Sequence, residues 1–185
     1  MDSNTPGSAN AYPKVGPIVI NEIMYNPQSG NQNEEYIELY NITASVVNLY
    51  DFGESEPWKF TDGIDFTFPS DANIPAYGYL LVVKDTTAFT SKYGSMPPAV
   101  QVLGPYAGQL SNGGEKVEIG MPGDVDGEGV RQYIRIDLVN YDDEGLWPTE
   151  PDGYGSSLSR LFPQYYGNDP NNWKAASPSP EGSNP

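Results

Sequence analysis

Arg131–Leu138 reads RQYIRIDL, and its alternation decides how the rest of the chain is read. Ile134, Ile136 and Leu138 recur at every second position, separated by Arg131, Tyr133, Arg135 and Asp137. Successive side chains of an extended segment point to opposite faces. The spacing therefore predicts a strand with Ile134, Ile136 and Leu138 against a core and the charged set in water. An antiparallel sheet with one wet face gives this pattern.

Working outward, the same signal returns in short pieces. Val117 and Ile119 alternate with Lys116 and Glu118 behind a Gly-rich turn at 110–114, where Gly113-Gly114 permits positive φ. In Glu35–Asn41, Ile37 and Leu39 point one way and Tyr36, Glu38 and Tyr40 the other, which predicts a half-buried strand. Ile18–Tyr25 is rich in β-branched residues and stops at Asn26-Pro27. Val46–Leu49 reads as a short strand. Trp58–Thr61 and Asp65–Phe68 flank Asp62-Gly63, a hairpin signal. Tyr79–Val83 is a continuous apolar run suited to a central strand.

Thr86–Tyr93 reads as the one short helix, with Phe89 and Tyr93 four apart and Gly94 at its C-terminal end. A last strand is expected at Ser157–Phe162 and coil over 168–185. Seven or more short strands with turn residues between them predict an all-β, immunoglobulin-like sandwich with long loops. Trp58, Phe66 and Phe68 are expected between its sheets. The domain reading is a flexible linker over 1–15 and one sandwich over 16–185. Residues 144–185 form a loop-rich C-terminal extension packed on it.

Composition narrows the chemistry. The 185 residues carry 25 acids and 9 bases, a formal net charge of −16. Phosphate backbones are bound by Lys and Arg that displace counterions, so nucleic acid is not an expected partner, nor is an anionic lipid surface. The chain has no Cys and no His. That removes disulfides, thiolate chemistry and Ser–His or Cys–His catalysis. No apolar run reaches the length of a membrane span. Residues 1–15 lack the basic and apolar regions of a signal peptide, so either a signal has been removed or, as the linker-like 2–9 favours, the sequence is a segment of a larger multidomain chain.

Several pieces, in order, match a known pattern: IVINEIMYNP (Ile18–Pro27), EEYIELYN (Glu34–Asn41), the VNL step (Val47–Leu49), WKFTDGIDFTFP (Trp58–Pro69) and AYGYLLVVK (Ala76–Lys84). They continue as LSNGGE (Leu110–Glu115), YDDEGLWP (Tyr141–Pro148), GSSL (Gly155–Leu158) and the closing SPSPEGSNP. The series resembles the bacterial lamin tail domains, over about residues 15–185. The resemblance implies an immunoglobulin-like sandwich without catalysis, an interaction surface, and a secreted or cell-surface bacterial setting beside enzyme domains. Some nuclear members contact DNA, which the acidity of this chain argues against.

Candidate sites each have a plainer alternative. Asp124, Asp126 and Glu128 resemble half of a calcium loop, or else form a solvated acidic turn. Asp142 and Asp143, followed by Glu144, are candidate calcium ligands, or else bond loop amides. Trp147, Tyr154, Tyr165, Tyr166 and Trp173 are placed either to stack on a ligand such as a sugar or to pin the C-terminal segment. Glu22, Glu35 and Glu38 are the carboxylates a glycosidase-like hydrolase would use, or strand-face acids that are solvated or paired with Lys or Arg. Asn41-Ile42-Thr43 fits a glycosylation sequon. The resulting expectation is a non-catalytic binding module of an extracellular or cell-surface protein, with no cofactor beyond a candidate Ca2+. Its partner is another protein or a cell-surface polymer. A carbohydrate-binding module is the first alternative and a carboxylate-based hydrolase the second.

Overall fold

The computed structural model describes residues 14–180 and 182, and among these thirteen strands and one α-helix are formed. The strands are β1 (Ile18–Met24), β2 (Tyr36–Asn41), β3 (Val47–Asn48), β4 (Tyr50–Asp51), β5 (Glu56–Pro57), β6 (Lys59–Asp62), β7 (Asn73–Ile74) and β8 (Tyr79–Val83). Helix α1 (Thr86–Tyr93) follows, then β9 (Gln101–Leu103), β10 (Glu115–Val125), β11 (Arg131–Tyr141), β12 (Ser157–Arg160) and β13 (Trp173–Ala176). The main sheet has the order β13-β12-β1-β2-β8-β9, antiparallel except for the β8–β9 edge. A three-stranded sheet, β11-β10-β6, faces it. Ile18, Ile20, Ile37, Leu39, Leu80 and Val82 of the first meet Phe60, Val117, Ile119 and Val139 of the second in one core. This is the immunoglobulin-like sandwich the strand spacing implies.

Local sequence explains several elements directly. The Asp62-Gly63 hairpin forms with Gly63 at φ 91°, and the amides of Phe60 and Phe68 bond the carbonyls of Phe66 and Trp58 at 3.0 Å. Trp58 and Phe68 are buried, and Phe66 packs against the core. Helix α1 spans the expected residues. The Asp85 side chain accepts from the Ala88 amide at 2.7 Å, which caps the N-terminus, and Gly94 at φ 86° ends the helix.

The alternation in β11 does not hold along its length. Ile134 is 51% exposed, Ile136 is half-buried, and Asp137, assigned to the wet face, is buried beside Val139. The cause is a bulge: the β10–β11 register passes from Ile119↔Asp137 to Gly120↔Arg135, leaving Ile136 without a partner. One extra residue reverses the facing of everything beyond it. The stretch from Arg131 to Arg135 then continues as a hairpin with mixed exposure.

Strand β2 differs as well. It was expected to be half-buried, yet Tyr36, Ile37, Glu38 and Leu39 are all buried. Its second face is covered by α1, whose Phe89 packs edge-on to Tyr36 with ring centroids 5.6 Å apart, and a second small core of Met24, Tyr36, Leu81, Val83 and Phe89 forms there. Residues 168–185, read as coil, contain β13, which pairs with β12 from Ser157↔Ala176 to Arg160↔Trp173. The C-terminal segment therefore widens the main sheet by two strands. Of the linker expected over 1–15, residues 1–13 lie outside the described residues.

A buried ion pair joins the layers. Arg160 of β12 meets Asp137 of β11 at 2.6 Å and also donates to the carbonyls of Ile20 (2.9 Å) and Tyr165 (2.5 Å). Asp137 Oδ2 in turn accepts from the Ile20 amide at 2.9 Å. Ile20 immediately precedes the β1 bulge, where the register passes from Ile20↔Leu39 to Glu22↔Glu38. Burial pushes the Asp137 carboxyl up from its ordinary value, while the Arg160 guanidinium and the Ile20 amide pull it back.

Candidate functional site

Four of the motif segments converge at one end of the sandwich, the end where β1 stops and β2 begins. Tyr25 leaves β1 and stacks on Tyr141, the last residue of β11, with ring centroids 4.7 Å apart at 23°. The Tyr141 hydroxyl donates to the Ser111 carbonyl at 2.7 Å. Beneath them, Glu35 Oε2 accepts from the Tyr106 hydroxyl at 2.6 Å and the Leu110 amide at 3.0 Å. Gly114, at φ 100°, closes the turn against β11: a side-chain carbon there would lie 2.8 Å from the Tyr141 carbonyl oxygen and 3.0 Å from Asp142 Cα. Only glycine fits both the backbone angle and the space.

The loop after β11 folds back over this end. Asn26 Nδ2 donates to Asp152 Oδ1 at 2.6 Å, and the Gly153 amide bonds the Asn26 carbonyl at 3.2 Å. Asp142, Asp143 and Asp152 are near enough to the Tyr25 phenol to act on it electrostatically. Burial raises its pKa above the ordinary value, and these three carboxylates raise it further, Asp152 most. Tyr141 is raised by burial first and then by Glu115, Tyr25 and Glu35. The Tyr25 hydroxyl is buried and has no hydrogen-bonding partner among the described residues. Residues 141–156 hold five acids, Asp142, Asp143, Glu144, Glu150 and Asp152, and neither Lys nor Arg. At the apex of the loop, Leu146 is 82% exposed and, further on, Tyr154 is 74% exposed.

Asp142 Oδ1 accepts from the Glu144 amide at 3.1 Å, the loop-bonding role. The turn at 124–130 is separate. Asp126 Oδ1 accepts from the amides of Glu128 (3.0 Å) and Val130 (2.9 Å), and Oδ2 accepts from Gln132 at 2.6 Å. Those donors, the Val130 amide first, hold the Asp126 carboxyl below its ordinary value. Asp124 and Asp126 are not brought to Asp142 and Asp143. Among the described residues no three His, Cys, Asp or Glu side chains gather as a group that would hold a metal ion.

The five aromatics divide. Trp173 is buried in the core, its Nε1 donating to the Gly167 carbonyl at 2.6 Å, and Trp147 packs against the core with its ring 6.3 Å from that of Trp173. These two anchor the C-terminal segment. Tyr165 is exposed and pairs with exposed Phe162 at 5.0 Å on the β12–β13 connection, with Tyr166 half-buried beside it. Tyr154 stands exposed at the acidic end.

Glu22, Glu35 and Glu38 correct their sequence reading: all three are fully buried rather than solvated on a strand face. Glu22 and Glu38 are direct cross-strand partners on the face that α1 and the C-terminal segment cover. The Ser157 hydroxyl and the Ser179 amide (3.0 Å) donate to Glu22 Oε1, and Asn21 Nδ2 donates to Glu38 Oε1 at 2.8 Å. Burial raises the Glu22 carboxyl, and the bonds from Ser157, Ser179 and Tyr36 partly offset it. Asn41 of the sequon is also buried, its Nδ2 donating to the carbonyls of Ser45, Ile74 and Pro75, so it is not presented as a glycosylation acceptor.

Tyr25, Asn26 and Asp152 were not singled out by sequence reasoning. Each is ordinary in its own segment, and only the return of the 141–156 loop unites them. No helix among the described residues is long and apolar enough to cross a membrane. Searches of curated proteins and of solved structures returned no match. The family model for the Lamin Tail Domain matches residues 12–133, ending inside β11, before β12 and β13. With the sandwich, the motif order and a match over most of its length, the chain belongs to the lamin tail domain family, a non-enzymatic immunoglobulin-like fold.

Proposed function

We propose that the chain is a binding module of an extracellular or cell-surface bacterial protein, holding a protein partner or a neighbouring domain through the acidic end of the sandwich. One observation carries this reading: Leu146 and Tyr154 stand exposed on a loop that bears five acids and no base. Large exposed apolar side chains rimmed by charge are a feature of contact surfaces. Beneath it, Tyr106, Tyr141 and Glu35 are fixed by hydrogen bonds, so the surface is presented on a rigid scaffold.

The test uses the intact parent protein with a photocrosslinking residue at Leu146 or at Val46, which lies beyond the opposite end of β2. The reading expects crosslinks to a second domain or partner from position 146 and none from 46. No crosslink from 146 overturns it. A second reading, carbohydrate binding, draws on the exposed Phe162–Tyr165 pair. Retention on insoluble polysaccharides that Tyr165→Ala abolishes would support it, and absence of retention on every glycan tried removes it.

A further inference from the structure

The sequence contains a single Asn-Gly pair, Asn112-Gly113, and the fold leaves it open. Both residues are exposed at the centre of the turn that leads into β10. Neither the Asn112 carboxamide nor the Gly113 amide makes a hydrogen bond among the described residues. Gly113 lies outside the left-handed region, and a side-chain carbon there would meet only Asp143 Oδ1, at 4.0 Å. The residues on either side are held. The Ser111 amide donates to Glu115 Oε2 at 3.2 Å and its carbonyl accepts from the Tyr141 hydroxyl at 2.7 Å, while Gly114 is closed against the Tyr141 carbonyl. Other asparagines are placed differently. Asn41 and Asn172 are buried with their carboxamides bonded, and Asn26 precedes a proline, whose nitrogen carries no hydrogen.

We propose that Asn112 is a site of spontaneous deamidation, with the Gly113 amide as nucleophile and water as co-reactant, and that its isoaspartate product loosens the turn that Tyr141 holds. The Gly113 nitrogen gives up its proton to solvent and attacks Asn112 Cγ. The new N–Cγ bond closes a five-membered imide, the Cγ–Nδ2 bond breaks, and Nδ2 leaves as ammonia. Water then opens the ring at one of its two carbonyls. One opening gives aspartate; the other gives isoaspartate, whose main chain runs through Cγ and is one carbon longer. Both products add a negative charge beside Asp143 and Glu115. Glycine reaches the ring-closing conformation without a side-chain clash, and no bond has to be broken to free either group. The longer backbone has no room on the Gly114 side, where a carbon would already lie 2.8 Å from the Tyr141 carbonyl oxygen. The displacement therefore falls on Ser111 and draws its carbonyl from the Tyr141 hydroxyl. The modification does not depend on what the acidic end binds.

The experiment incubates the folded protein at pH 6 and pH 8 and follows conversion by mass spectrometry. Digestion after Lys92 and Lys116 gives a peptide in which Asn112 is the only asparagine. The free peptide LSNGGE, Leu110–Glu115, is the unfolded reference. Conversion in the protein should be faster at pH 8, where the attacking nitrogen loses its proton more readily. It should be within about tenfold of the peptide rate, as expected where local opening costs little. Gly113→Ala, which the open surroundings accommodate, should slow it on the order of tenfold. Asn112→Asp carries the product charge without the longer backbone. The charge-separated aged protein, which holds both products, should melt about 2–5 °C below Asn112→Asp, the loss of one hydrogen bond in a chain of this size.

Conversion slower than the peptide by more than about tenfold overturns the proposal, because the turn then protects the pair. Equal conversion at other asparagines overturns it too, since the site would not be set by the fold. Wild-type conversion in Gly113→Ala rules out ring closure by the Gly113 amide. An aged pool that lacks isoaspartate, or one that melts with Asn112→Asp, removes the loosening of the turn.

Discussion

Arg160→Met removes the guanidinium that holds the two sheets together at Asp137, and its cost follows from the bonds lost. Arg160 contributes the 2.6 Å contact to Asp137 and donors to the Ile20 and Tyr165 carbonyls. Breaking one side of a buried pair leaves the other charge uncompensated, which costs about 3–5 kcal/mol. For a chain of this size that is a fall in melting temperature on the order of 6–20 °C. Asp137→Leu should cost a similar amount, because the buried Arg160 guanidinium then loses the Asp137 carboxylate and the Ile20 amide loses its acceptor. The double variant removes both charges. It should therefore be more stable than the sum of the single losses implies, with a coupling of about 2–3 kcal/mol in a double-mutant cycle.

The Arg160→Met penalty also depends on pH. Without the guanidinium, burial raises the Asp137 carboxyl still further, and a group with a raised folded-state pKa gives up stability as pH rises. The penalty should be smaller near pH 4.5 than at pH 7. Urea titrations of the four proteins at both pH values provide the data. Additivity of the two single variants within about 0.5 kcal/mol would refute the brace as a coupled unit.

Other consequences are checked by similar means. Trp58→Ala should cost about 3–5 kcal/mol through the cavity it leaves in the inter-sheet core; a loss under about 1 kcal/mol on denaturant titration would place Trp58 outside that core. Gly114→Ala should lose about 1–3 kcal/mol to backbone strain and to the 2.8 Å approach to the Tyr141 carbonyl, and a melt equal to the wild type would contradict the turn described. Glu22 has a folded-state pKa raised from 4.5, so its contribution is full at pH below that value and is lost as pH rises through the raised one. Glu22→Gln keeps an acceptor for Ser157 and Ser179, and its stability relative to the wild type should improve from pH 4 to pH 8. A difference that is flat with pH would show that Glu22 does not titrate in that range.

Much of the sandwich is legible in short-range pattern because strands and hairpins are local events. Asp62-Gly63 marks its own turn, and Phe89, Tyr93 and Gly94 outline α1 without any knowledge of the rest. Parity over longer stretches is less legible. A single bulge at Ile136 reverses the facing of RQYIR, and nothing in the residue types announces it. Burial of β2 on both faces depends on α1 docking onto it, which alternation within β2 does not register. Strand β13 is hidden for a related reason: WKAA is a strand because β12 lies beside it and Trp173 reaches the core. At the acidic end, Asp142 and Asp143 stand out as a charge run, whereas Tyr25 and Asp152 acquire meaning through a contact spanning 126 residues, Asn26 to Asp152. Buried charges such as Asp137 and Arg160, 23 residues apart, look like ordinary surface residues until the fold pairs them.

The acidic end as the contact surface is tested most directly by comparing amide chemical shifts of the isotopically labelled chain alone with those of the same residues in the intact parent protein. The account predicts differences confined to Tyr25 and Asn26, to Ser111–Gly114 and to residues 141–154. Shifts centred on the Asp124–Val130 turn, or spread evenly over the acidic surface, would contradict it.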